Sequence, residues 1–482
     1  MKIGIDFGTT FCWSACAISG SAETLLPAGE NGMPSLFYYD AELGVLIGRS
    51  AGDNGMYYPG NLVRDIKMDI SANKSEYHLD GKRFTKKEIV GRIIGEAAKL
   101  AQKECSKREY ASQDIEGAII SVPAAFTFRE LDFIRGAVTE LSVLGFIREP
   151  VAAAIAYFNV PTARDEINIL VYDLGGGTCD IALVRSDKGS QAWYRVIDAD
   201  MRRVGGRDWD RVVVRLIKRK LKEKFNITDF DDYTEEIIHR EAISIKEKLS
   251  NVEADRVQVT IAGKVYACII TREEFDGATL ELLDSTMDMV EAMVFRNIGV
   301  KIDYMVCVGG SSNMPQVREA LQGRFRYAQV KVFEPEKAIA YGTAIYAENF
   351  SSTGFLLDIC KFSYGFRFID HYRLHKDVNK LIIYNQIKKG TPLPVNKEII
   401  AYPCEDGFSS LTLAVYESSC GDDEYSPDQG TEIGSVTVAG LTGSKADDPF
   451  IVTLEIDQFG LMHVRAVEKK SDKTATTEIN IR

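Results

Sequence analysis

The pattern of apolar and polar positions changes character once along this chain. Up to about residue 350, short strand-like runs at 2–7, 117–122, 168–173, 258–262 and 304–308 alternate with longer stretches whose apolar residues recur at helical spacing. Phe133, Ile134, Ala137, Val138, Leu141 and Leu144 form one such stripe; Leu280, Leu283, Met287, Val290, Val294 and Ile298 form another. Strands alternating with helices predict an α/β region. From about residue 366 the helical period disappears. Gly, Pro, Asp and Ser punctuate short alternating runs such as L-T-L-A-V at 411–415 and I-V-T-L-E-I at 451–456, and D-Q-F-G at 457–460 reads as a hairpin turn. An antiparallel β domain is predicted there. Residues 351–358 lie between the two regions, opening like a flexible linker and closing on an apolar segment.

Within the first region one motif occurs twice. I-G-I-D-F-G-T-T at 3–10 and V-Y-D-L-G-G-G-T at 171–178 share an apolar strand, a terminal Asp, an apolar residue, then glycine and threonine, which implies two similar halves. Where a strand ends in bare glycines, backbone N–H groups can approach an anion closely, and phosphate is the natural occupant. Asp6 and Asp173 beside those turns would repel phosphate unless a cation lay between; Mg²⁺ suits this, because it keeps several waters and needs few carboxylates. Each turn by itself also reads as a plain hairpin, whereas the pair reads as a two-sided clamp on one polyphosphate. A third glycine site, V-C-V-G-G-S-S-N-M-P at 306–315, lies between a strand and a helical run, where a nucleoside can be covered.

Composition narrows the classes. A length of 482 residues predicts two to four compact units. Hydrophobic content of 45% with 27% charged residues is that of a globular protein, and a net charge of −12 counts against nucleic acid as partner. Nine cysteines without a Cys-x-x-Cys pair suggest neither a disulfide framework nor a zinc ribbon, so a reducing compartment is expected. With no long apolar run, no membrane partner is expected and the reading is cytoplasmic. His371 and His375 stand at i, i+4 spacing without a third ligand nearby in sequence, and read as ordinary surface histidines.

Taken in order, the motifs resemble a known family. The two phosphate motifs, I-K-M at 66–68, I-I-S-V-P-A-A-F at 119–126, R-E-P-V-A-A-A-I-A-Y at 148–157, V-G-G-R-D-W-D at 204–210, V-G-G-S-S-N-M-P, E-P-E-K-A-I-A-Y-G at 334–342 and F-L-L-D at 355–358 are similar to those of DnaK-type heat-shock chaperones. These belong to the ATPase superfamily shared with actin and sugar kinases. G-T-P-L-P at 390–394, A-Y-P-C-E-D at 401–406 and I-D-Q-F-G-L-M-H-V-R-A at 456–466 extend the resemblance into that family's substrate-binding β-sandwich. The resemblance implies a two-lobed, actin-like α/β ATPase domain with duplicated ribonuclease-H-like halves at 1–350, a linker at 351–361, and an all-β sandwich that binds peptide at 362–482. It implies an ATPase whose nucleotide state controls the holding of extended, unfolded polypeptide clients, with ATP/ADP, Mg²⁺ and K⁺ as cofactors, and a J-domain cochaperone and a nucleotide-exchange factor as partners.

Carried over residue by residue, the resemblance places Gly8, Thr9 and Thr10 on phosphate from one half and Gly175, Gly176, Gly177 and Thr178 from the other. Lys67 matches the catalytic lysine, acting with Thr178 and Asp173, and would place a compact charge at the γ-phosphate. Asp6, Glu149 and Asp173 match the residues holding the water shell of Mg²⁺, and Asp180 a carboxylate beside a monovalent cation. Gly205, Gly206, Lys246, Ser250, Gly309, Gly310, Ser311 and Asn313 complete the nucleotide site. Pro123 matches a hinge proline. Without the resemblance, Lys67 reads as a solvated charge, Glu149 as a helix N-terminal charge and Pro123 as a strand end.

The chain also departs from the family pattern. Ile243 and Glu247 stand where a Glu and an Arg usually face the nucleoside, and Asn313 replaces an adenine-stacking Arg. Gly145 and Leu131 stand where arginines are usual, Gly145 at a position that contacts the J-domain. Leu356, Leu357 and Asp358 resemble a linker that docks or is released, and otherwise read as a buried strand edge. Phe366, Ile399, Ala401, Cys404, Leu411, Leu413 and Leu461 match the peptide groove, though most also suit a core. The sequence stops at Ile481-Arg482 with no counterpart of the family's helical lid, which implies fast peptide dissociation. Two other readings stand beside the chaperone: a nucleotide-switched interaction protein with little hydrolysis, and a small-molecule kinase.

Overall fold

The repeated motif is the start of two sheets built alike. In a computed structural model of the chain, residues 1–27, 29–108, 114–159, 166–187, 193–352, 354–369, 381–442, 445–458 and 460–481 are described. Strand Lys2–Phe7 pairs in parallel with Gly117–Val122, which pairs in parallel with Val143–Arg148, while Phe11–Ile18 returns antiparallel on the other side. Strand Glu166–Leu174 repeats the arrangement, with Tyr304–Val308 and then Gln329–Val332 in parallel and Cys179–Asp187 antiparallel. The chain divides into two compact units, the first comprising Met1–Ala124, Phe133–Gly189 and Ala199–Ser352, the second Ala125–Asp132, Ser190–Asp198 and Thr353–Arg482.

In the first unit, small residues decide how closely elements pack. Helices Glu149–Phe158 and Ala338–Glu348 are buried along almost their whole length and rich in alanine. A Cβ on Gly342 would stand 1.7 Å from the Ala152 carbonyl oxygen, and one on Gly4 2.4 Å from the Ala344 nitrogen. The two helices and strand Lys2–Phe7 therefore meet backbone to backbone, which only glycine allows.

Two helical stripes behave differently from their reading. The helix begins at Phe128 and ends at Ala137; Val143 and Leu144 belong to strand Val143–Arg148. A six-residue apolar stripe cannot separate a helix from a helix running into a strand, and parallel pairing with Gly117–Val122 decides it. Helix Arg272–Arg296 buries Leu283, Met287 and Val290 as read, but its inner face continues through Phe275, Thr279 and Met293, leaving Leu280 and Ile298 exposed. Strand Ala254–Ile261 stops before Ala262, which takes a φ of 48° in the turn. No described helix is long and apolar enough to cross a membrane.

Besides the start of helix Phe128–Ala137 and the short 3-10 turn Pro427–Gln429, the second unit is built of β-strands. Glu424–Tyr425, Leu381–Ile387, Ser363–Ile369, Ser410–Ser418 and Thr431–Ala439 form one antiparallel sheet, and Val395–Ala401, Phe450–Ile456, Leu461–Glu468 and Thr474–Asn480 another. Alternate residues of both sheets, among them Phe366, Val415, Phe450, Leu454 and Val464, close one core between them. The hairpin read at 457–460 joins Phe450–Ile456 to Leu461–Glu468, closed by Asp457 and Leu461; Phe459 lies outside the described residues, as do His371 and His375. Leu356–Leu357 pairs in parallel with Tyr194 and Arg195, and Leu356 and Asp358 are buried.

Candidate functional site

The two glycine turns of the first unit face each other. A Cβ on Gly176 would lie 2.3 Å from Thr10 Oγ1, and one on Gly177 2.9 Å from Thr9 Oγ1 and 2.5 Å from Met68 Sδ. A Cβ on Gly205 would stand 2.5 Å from the Gly177 backbone, and one on Gly309, where φ is +81°, 2.5 Å from Asp173 Oδ1. Four glycine segments distant in sequence thus share one small volume.

Not every amide in the turns is available to a ligand. The Gly8 N–H donates to Phe11 O at 3.1 Å and Gly175 N–H to Thr178 O at 3.0 Å, so these two close their own turns. Gly206 N–H is likewise used, on Gly175 O at 2.9 Å. Among the described residues, the amides of Thr9, Thr10, Gly176 and Gly177 have no backbone acceptor. Phosphate binding would fall to them.

Five charged side chains converge beside the turns. Asp6 and Asp173 are each the next-to-last residue of their strands, and Asp180 sits directly opposite Asp173 in the ladder. Glu149 opens the helix after Val143–Arg148, and Lys67 sits in the short helix Ile66–Asp69. All five are buried, and Lys67 donates a hydrogen bond to Glu149. Ser121 Oγ donates to Asp6 Oδ1 at 2.7 Å, and the Ala124 amide to Asp180 Oδ1 at 2.6 Å.

Burial pushes Asp6 up to about 7, helped by the Glu149 charge and opposed by Lys67 and Ser121. Asp180 is also pushed up to about 7, by burial first and Glu149 next. Asp173, buried and facing Glu149, Asp180 and Asp6, is raised well above the carboxylate range. For Lys67 burial acts downward, but Glu149 and Asp6 outweigh it and hold the ammonium above its usual value. Four buried carboxylates share one ammonium, so the cluster has room for further positive charge.

That charge fits a hydrated divalent cation. Asp173 Oδ1 and Asp180 Oδ2 are buried with no hydrogen-bond partner among the described residues. No three His, Cys, Asp or Glu side chains among them are grouped to ligate a metal directly.

The nucleoside residues are more dispersed. Lys246 Nζ lies 2.7 Å from Asp210 Oδ1 and donates to Gly206 O at 3.4 Å, and a Cβ on Gly206 would meet Ser311 Oγ at 2.2 Å. Gly310 faces open space, Asn313 is exposed at the end of the turn Gly310–Asn313, and Ser250 lies just past helix Asp232–Lys248. In the second unit Phe366, Ala401 and Leu413 are core residues; Ile399, Leu411 and Leu461 are half-buried and Cys404 is exposed.

Sequence reasoning missed Ser121, the Ala124 amide, Met68 and Ser35, whose Oγ donates to Gly8 O at 2.7 Å. Ser121 left a signal, a lone hydroxyl in a strand that is otherwise apolar and wholly buried. The others are brought in by the fold.

An α/β unit with paired glycine turns around buried carboxylates and a lysine, with a second unit built mainly of β-strands, defines a nucleotide-binding class with a second module. The family model described as Hsp70 protein matches residues 2–482, and the chain belongs to the Hsp70 family. Similar proteins include a ribosome-associated molecular chaperone of Eremothecium gossypii, 28% identical over 99% of this chain and 81% of its own length. The ribosome-associated molecular chaperone of the same name in Saccharomyces cerevisiae is 26% identical with the same coverage. The family and both relatives support a chaperone function for this chain, and members of the family are nucleotide-binding, generally Mg²⁺-dependent ATPases.

Proposed function

We propose that this chain is an ATP-hydrolysing chaperone whose first 350 residues form an actin-like ATPase domain and whose residues 362–482 hold extended, unfolded polypeptide. The observation that carries the proposal is the meeting of the turns at Thr9–Thr10 and Gly176–Gly177 beside the buried Lys67–Glu149 pair. Free amides and threonine hydroxyls would hold the β- and γ-phosphates. Mg²⁺, held through its waters by Asp6, Glu149 and Asp173, would neutralise phosphate charge. Lys67 would orient the attacked phosphoryl group and the water, with Glu149 fixing its ammonium and Thr178 and Asp173 acting with it, and Asp180 would serve K⁺.

Residues 351–361 would carry the nucleotide state to the β unit as a linker, so that ATP favours one peptide affinity and ADP another. Ile399, Cys404, Leu411 and Leu461 are the groove candidates with surface available, and an extended client would add backbone hydrogen bonds to such contacts. By likeness to the family, a J-domain protein and a nucleotide-exchange factor would act on the cycle in the cytoplasm.

Steady-state phosphate release from the full chain, with and without Lys67→Ala, tests the hydrolysis. Release at the uncatalysed rate with ATP still bound would leave a nucleotide-switched binder instead. Proteolysis at 351–361 in apo, ADP and ATP states tests the coupling, and identical cleavage in all three would end it.

A further inference from the structure

Lys67 is carried by a helix too short to hold itself. Ile66–Asp69 has four residues, and its preceding residue Asp65 sits at φ 57° with no side-chain cap. A single turn is unstable in isolation, and its last carbonyls have no partner within the helix.

The last carbonyl of the turn, which also accepts from the Ala72 N–H at 3.0 Å, and two carbonyls just beyond it are gathered by one side chain. Lys86 Nζ donates to Asp69 O at 2.7 Å, to Ala72 O at 2.9 Å and to Ile70 O at 3.1 Å. It lies 5.4 Å from the centre of the Phe133 ring, and the residue is only 8% exposed. Lys86 is the first residue of helix Lys86–Cys105, where a positive charge opposes the helix dipole. A charge both buried and set against its own helix marks a position where local preference has been overridden. The long helix is itself fixed in the core by Ile89, Val90, Ile93, Ile94, Ala97 and Ala101.

We infer that Lys86 is a positioning residue for Lys67, tying the end of the Ile66–Asp69 turn to a rigid helix so that the Lys67 ammonium stays against Glu149. The inference rests on the role proposed for Lys67. Removing the three donors lets the turn relax, and small misplacements of a reacting group are costly in rate.

The test uses the full chain. Single-turnover ATP hydrolysis, ATP affinity and thermal unfolding are measured for the wild type, Lys86→Met, Lys86→Arg, Lys67→Ala and the double variant Lys67→Ala/Lys86→Met. Lys86→Met is expected to slow hydrolysis about ten- to a hundredfold while ATP affinity stays within about threefold. Lys86→Arg, which still offers several donors, is expected to recover most of the rate. The double variant is expected to be no slower than Lys67→Ala, because one residue acts through the other. An unchanged rate in Lys86→Met, or losses that multiply in the double variant, would overturn the inference. If Lys86→Met fails to fold, Lys86→Gln is read against the same outcomes. A slow Lys67→Ala beside a normal Lys86→Met removes this inference alone; a Lys67→Ala chain that hydrolyses normally removes the role of Lys67 and this inference with it.

Discussion

Thr10 and Gly176, in the turns that follow strands of two different sheets, stand so close that a Cβ on Gly176 would fall 2.3 Å from Thr10 Oγ1. Gly176→Ala is therefore expected to displace one turn from the other and weaken nucleotide binding by at least tenfold, on the order of 1.4 kcal/mol. Gly323→Ala, in helix Pro315–Arg324 and outside the site residues, where a Cβ meets open space, is the control and should leave affinity within about twofold. Titration calorimetry with ATP and Mg²⁺ distinguishes the two.

The Lys67–Glu149 pair is buried, so removing one partner exposes the full cost of the other. Lys67→Met is expected to destabilise the first unit by roughly 3–5 kcal/mol, since it leaves the buried Glu149 carboxylate without its ammonium. Glu149→Gln removes the charge that helps raise Asp6 and Asp180, so both carboxyls should titrate lower than about 7. Urea unfolding reads the first effect and carboxyl NMR titration the second.

In the second unit Glu417 supplies a pH dependence. Burial pushes its carboxyl up to about 7 against the Phe128 amide, Lys361 and Tyr364, with Glu130 adding to the rise. The folded form thus holds the proton more tightly than the unfolded chain, whose value is near 4.5. Its contribution is full below about pH 4.5, falls as pH rises, and is lost above about pH 7. Glu417→Gln should flatten that slope, and urea unfolding across the same range checks it. A slope unchanged by the substitution would count against Glu417 as its source.

Gly342→Ala would place a Cβ 1.7 Å from the Ala152 carbonyl. Overpacking of this kind typically costs about 1–3 kcal/mol, and the rigid backbone on both sides puts this case at or above the upper end. Gly277→Ala, inside helix Arg272–Arg296 with no atom within 4 Å, should instead stabilise by about 0.5–1 kcal/mol. Thermal unfolding of the two variants gives opposite shifts.

The strands and their glycine turns were legible in sequence because the apolar runs at 2–7 and 168–173 end on Asp and small residues, signals that are local. The helix ending at Ala137 was not, since Val143 and Leu144 are apolar in either element and only pairing with Gly117–Val122 assigns them to a strand. The use of the Gly8 and Gly175 amides within their own turns was equally hidden, because it depends on where the Phe11 and Thr178 carbonyls return.

By itself the sequence determined the order of elements, the duplicated turn, the change from α/β to all-β and the residue types able to handle phosphate and a cation. These follow from periodicity and from the chemistry of each side chain. Only the tertiary structure decided that Lys67 is a buried charge held by Glu149 rather than a solvated one, and that Lys86 gathers three carbonyls. It alone put Phe366, Ala401 and Leu413 inside a core. Burial, and the electrostatics that burial governs, arise from residues far apart in the chain, so no local pattern records them.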